Sequence, residues 1–90
     1  MGANSSRQQE INTTVWNLPG QETTVILRHG EVSGLREVTV NGKVVLTETR
    51  KFDNGSKHEV KVGDKTINVI IIPSWLSFSY RLDCGGKEVS

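Results

Sequence analysis

The sequence predicts an all-β fold, an antiparallel β-sandwich of about 7–8 short strands. Three observations carry that expectation. Runs rich in Val, Ile and Thr alternate apolar and polar residues with a period of two, as a half-buried strand requires. Turn pairs such as Pro-Gly, Asn-Gly and Gly-Gly recur between those runs. No window places apolar residues at helical spacing over three turns.

The elements follow in chain order. Residues 1–11 are polar and without periodicity and read as a flexible amino-terminal tail, with residues 12–90 as the β domain. TTVWNL (13–18) is a short strand closed by Pro19-Gly20, and TTVILRH (23–29) is a second, followed by a loop bounded by Gly30 and Ser33-Gly34. REVTVNGKVVLTE (36–48) is a hairpin. Asn41-Gly42 suits a type I′ turn because both central residues need positive φ, which pairs Val40 with Lys43 and Val38 with Val45. FDNGSK (52–57) is a polar break. HEVKV (58–62) alternates again, and Gly63-Asp64 turns the chain into KTINVIII. The latter run is apolar on both faces toward Ile72, which predicts a central strand covered on both sides and stopped by Pro73. In WLSFSYRLD (75–83), Leu76, Phe78, Tyr80 and Leu82 share one face; Cys84-Gly85-Gly86-Lys87 then opens a last hairpin. The sequence ends at Ser90, partway along the returning strand, as expected of a fragment of a longer protein.

Ninety residues with 34% hydrophobic and 23% charged content describe one ordinary globular domain. A chain of this size buries roughly 60–65% of the surface it exposes when unfolded, so its stability is modest. The net charge of +1, with 11 basic residues scattered among 10 acids, argues against a nucleic-acid partner, which calls for a basic stripe. The single Cys84 excludes an internal disulfide and a Cys-based zinc site, and fits a reducing, cytoplasmic setting. No run approaches the roughly 20 apolar residues of a membrane helix, and the amino terminus has no signal-peptide core.

Several stretches in register are similar to one known family. Val15-Trp16, then HGEVSGLREVTVNGK (29–43), VKVG (60–63) and FSYRLDCGGKEV (78–89) resemble the repeat of the Fas apoptotic inhibitory molecule family over almost all of 14–89. That repeat has a hydrophobic strand ending in glycine, a Ser-Gly step, a strand entering an Asp/Asn-Gly-Lys turn, a Val-Gly turn, and an aromatic-x-Tyr strand ending in x-Gly-Lys. The resemblance implies a soluble antiparallel β protein without enzymatic activity, associated with negative regulation of apoptosis, survival signalling and suppression of protein aggregation. The animal members carry two such domains in tandem. The single domain, the Gly85-Gly86 turn and the amino-terminal tail depart from that pattern.

The candidate chemistry is sparse. His29, Glu31 and Ser33 lie close in sequence, but a nucleophilic serine needs a base in reach and a third group to orient that base. Gly30 and Gly34 flank the cluster, and serine before glycine is turn chemistry, so a connecting loop is expected and no catalytic residue is assigned. His58, between Lys57 and Glu59, is expected to face solvent. A metal site would require His29 and His58 to converge with Glu31 or Asp64; none is assigned, nor any cofactor. Cys84 reads as an inert small side chain.

Among the aromatic anchors Trp16, Trp75, Phe78 and Tyr80, the last two are expected in the core. Trp75, off the Leu76/Phe78 face, is the candidate exposed contact for a protein partner. MGANSS (1–6) matches the N-myristoylation pattern, with Gly2 as acceptor and Ser6 at the required position. One acyl chain binds membrane only marginally, and Arg7 next to Glu10 is no polybasic patch, so stable membrane association needs a second signal.

Overall fold

A computed structural model describes residues 11–90. The Gly2 acylation motif lies outside the described residues. The chain forms eight strands: β1 (Ile11–Asn17), β2 (Thr24–Gly30), β3 (Leu35–Val40), β4 (Lys43–Thr49), β5 (Ser56–Val62), β6 (Lys65–Pro73), β7 (Phe78–Cys84) and β8 (Lys87–Glu88). They build two four-stranded antiparallel meanders, β1-β2-β3-β4 and β5-β6-β7-β8. β1 begins at Ile11, one residue before the expected domain start. No helix in the described residues is long and apolar enough to cross a membrane.

Period-two patterning gives each sheet one apolar inner face. Trp16, Val25, Leu27 and Val38 from the first sheet meet Val60, Ile67, Val69, Ile71 and Leu82 from the second in one core, closed by Leu18 and Val89. Phe78, Tyr80 and Cys84 pack against it half-buried. Burying a side chain of this kind contributes about 1.5–3 kcal/mol before entropy is counted.

The turns sit where their residue types place them. Asn41 has φ 51° and Gly42 φ 81°, the type I′ geometry, and Val40 pairs with Lys43 as expected. Val38, however, faces Leu46 and not Val45, because a bulge between Val38 and Thr39 in the ladder leaves Val45 as the extra residue. The shift turns Leu46 toward the core and leaves Val44 and Val45 exposed.

β6 departs from expectation in two ways. It lies between β5 and β7, but only its inner face, Ile67, Val69 and Ile71, is buried, whereas Ile72 is 40% exposed. Two layers leave every sheet one outer face, so an all-apolar run need not be covered twice. Pro73 also belongs to the strand, paired with Phe78 at its last rung, where a missing N–H is tolerated. Leu76 does not join the Phe78/Tyr80/Leu82 face. It stands exposed with Trp75 in the β6–β7 turn, in which the Ser77 carbonyl accepts bonds from Ser74 N–H (2.7 Å) and Ser74 Oγ (2.8 Å).

Candidate functional site

Strand parity and chain reversal assemble a polar cluster at one end of the sandwich. His29 shares its parity with Val25 and Leu27, and Arg36 with Val38, so both polar side chains point inward, and they are direct partners across β2 and β3. Both are fully buried, at 0% exposure. Uncompensated, such burial is costly. The compensation comes from Asp53, in the segment between β4 and β5, which accepts from Arg36 Nη2 through Oδ1 (2.6 Å) and bonds His29 Nε2 through Oδ2 (2.6 Å). The Gly55 N–H adds a third bond to Asp53 Oδ1 at 3.0 Å, and Arg36 Nη1 donates to the Gly34 carbonyl at 2.9 Å.

The other imidazole nitrogen reaches the second sheet. His29 Nδ1 lies 2.8 Å from the Tyr80 hydroxyl on β7, which also accepts from Asn12 Nδ2 of β1 at 3.0 Å. One direction of donation runs through the chain, Asn12 to Tyr80, Tyr80 to His29 Nδ1 and His29 Nε2 to Asp53, whereas the buried Arg36 Nε finds no partner among the described residues. Phe78 closes over the imidazole edge-on at 4.6 Å between ring centroids. The network ties β1, β2, β3, the inter-sheet segment and β7 together.

The electrostatics follow from these contacts. Burial works to raise the Asp53 carboxyl, but the bonds from His29, Arg36 and the Gly55 N–H outweigh it and hold Asp53 below its ordinary value. Burial is the main cause that raises the Tyr80 phenol, so the hydroxyl stays protonated and able to donate.

Two glycines make room for the segment that carries Asp53. A Cβ on Gly34 would lie 1.8 Å from the Arg50 carbonyl oxygen, and one on Gly55 would lie 2.5 Å from that of Ile71, so only glycine lets these backbones touch.

The three neighbours His29, Glu31 and Ser33 therefore serve three separate ends. His29 is sealed in the network. Glu31 accepts from Asn12 Nδ2 and, at 3.4 Å, from Ser77 Oγ. Ser33 Oγ accepts from the Leu35 N–H at 3.2 Å, the turn chemistry its sequence context suggested. His58 corrects the expectation of a solvent-facing residue. It shares parity with Val60, is only 7% exposed, and bonds Ser56 Oγ at 2.7 Å. Burial is the first cause that lowers its pKa below the ordinary 6.5, with Arg36 and Arg50 acting in the same direction and Glu48 opposing. Among the described residues no three His, Cys, Asp or Glu gather as a metal-binding group.

Trp75 is 94% exposed, in the company of Leu76 at 88%, Val32 at 87% and Phe52 at 80%. Sequence reasoning missed Arg36 and Asp53 in the network and Val32 and Phe52 on the surface. Parity with Val38 was the available signal for Arg36; Asp53 had none, since its partners are remote in sequence.

Fold and site together define a small two-layer antiparallel β domain whose sheets are clamped by a polar network centred on the buried His29 and Arg36. The family model of Fas apoptotic inhibitory molecule (FAIM1) matches residues 12–90. The chain belongs to this family, as the motif order implied. No curated protein matches it in a sequence search.

Proposed function

We propose that this domain is a non-enzymatic regulatory module that acts by binding other proteins, in the negative regulation of apoptosis, in survival signalling and in the suppression of protein aggregation. One observation carries the reading. His29 and Arg36 are buried between the sheets at 0% exposure, while apolar side chains stand in solvent on the strand faces as well as the loops, Val15 on β1 and Val44 and Val45 on β4 among them. A base enclosed on both ring nitrogens has no substrate to meet, whereas exposed apolar side chains are what association uses. The cytoplasm is the compartment that fits a lone, half-buried cysteine. The test is an aggregation assay in which the folded domain is mixed with a heat-destabilised client. Suppression of light scattering at stoichiometric amounts is the expected result, and an unchanged aggregation rate would overturn the reading.

A second reading is favoured by the MGANSS start: an N-myristoylated adaptor that carries its bound partner to a membrane through Gly2. Mass spectrometry of protein made in eukaryotic cells decides it. The expected product lacks Met1 and carries a myristoyl group on Gly2; a retained Met1 or a free Gly2 amine would remove this reading.

A further inference from the structure

The four most exposed large apolar side chains fall on three loops at one end of the sandwich: Val32 between β2 and β3, Phe52 between β4 and β5, and Trp75 and Leu76 between β6 and β7. Contacts across the sandwich bring these loops together. Glu31 binds Ser77, Asp53 binds His29 and Arg36, and Gly55 rests on Ile71 and Pro73. The opposite end consists of the turns at 18–23, 41–42, 63–64 and 85–86, none of which carries an exposed large apolar side chain.

We propose that the apolar loop end is a membrane-docking face that inserts Trp75, Leu76, Phe52 and Val32 into the interfacial region of a lipid bilayer. Four features favour lipid over a shaped protein partner. The side chains stand on convex tips, and no cleft opens among the described residues, whereas protein hot spots pair with packed pockets. Tryptophan leads the set, and its amphipathic ring suits the headgroup level. Within the β6–β7 turn, Ser74 N–H and Oγ both donate to the Ser77 carbonyl, which takes these three groups out of the desolvation cost of an interfacial position, where the remaining backbone groups of the tip still meet water and headgroups. Finally, Ile11 pairs with Gly30 at this same end, so the segment bearing Gly2 joins the domain beside the tips. Exposed Lys51 next to Phe52 and exposed Glu31 next to Val32 offset each other in charge, so the apolar side chains carry the docking. The loop tips thus supply the second signal that a single acyl chain lacks. The docking does not require acylation, and the two are tested separately.

The experiment uses the full chain made in bacteria, without an acyl group, and vesicles of phosphatidylcholine with phosphatidylserine. Trp16 is buried at 6% exposure, so any blue shift of tryptophan emission on vesicle addition reports Trp75. Wild type is expected to co-sediment with vesicles and to shift blue. Trp75→Ser/Leu76→Ser should lose about tenfold in partitioning, and Phe52→Ser a smaller factor. Val44→Ser/Val45→Ser, on the outer face of β4, should bind as wild type. Unchanged circular dichroism and thermal midpoint verify that each variant is folded. Wild type remaining in the supernatant, or Trp75→Ser/Leu76→Ser binding as wild type, would overturn the proposal. So would a wild-type dimer that ignores vesicles and dissociates on Trp75→Ser/Leu76→Ser, which would make the occupant a second copy. Co-expression with an N-myristoyltransferase then asks about Gly2 alone, and its failure leaves the vesicle result standing.

Discussion

At the scale of single residues, Asp53 has the most consequence, because two fully buried basic side chains converge on its carboxylate. Asp53→Asn is expected to lower stability by about 3–5 kcal/mol, measured by urea unfolding, since it leaves Arg36 charged and buried without its counter-ion. The same contacts hold Asp53 below its ordinary 3.8, so its stabilisation is complete above that pH and is lost as pH falls through the lower folded value. The wild-type stability curve should therefore bend down below about pH 4, and the Asp53→Asn curve should lack this contribution. His58 acts in a different window. Its folded pKa is depressed from 6.5, so its stabilisation is present above 6.5 and lost as acidification reaches the folded value. A His58→Gln variant, followed by thermal midpoint against pH, should show a flatter curve just below 6.5.

At the scale of elements, hairpin chemistry and ladder register answer to different physics. Asn41 does three jobs in the β3–β4 turn: it adopts positive φ, its N–H donates to the Thr24 carbonyl at 2.9 Å, and its Oδ1 accepts from the Thr24 N–H at 2.8 Å. Asn41→Ala is expected to cost about 1–3 kcal/mol in the chemical-denaturation midpoint through strain and the lost bond. This turn was legible because Asn-Gly is a local signal. The Val45 bulge was not, because it answers to where Leu46 must point once a second sheet lies opposite. Parity was legible too and was under-used. The rule that places Val38 and Val60 inside also places Arg36 and His58 there, although the charged neighbours of His58 suggest solvent for it.

At the scale of the molecule, two meanders are joined by one short segment, and its path is set by contact with glycine. The Arg50 N–H donates to the Gly34 carbonyl at 3.0 Å while the Arg50 carbonyl occupies the space of a Gly34 Cβ. Gly34→Ala is expected to cost more than about 4 kcal/mol or to prevent soluble expression, since backbone meets Cβ and φ is +77°. Local pattern by itself determined the all-β class, the two-residue turns and the inward-facing strand positions, because period-two burial and turn dihedrals act over a few residues. Tertiary structure alone decided that His29 meets Tyr80, 51 residues away, and Asp53, 24 residues away, and that Val32, Phe52, Trp75 and Leu76 share one end. Those neighbours are chosen by how one sheet folds over the other, a long-range closure that no short stretch of residues encodes.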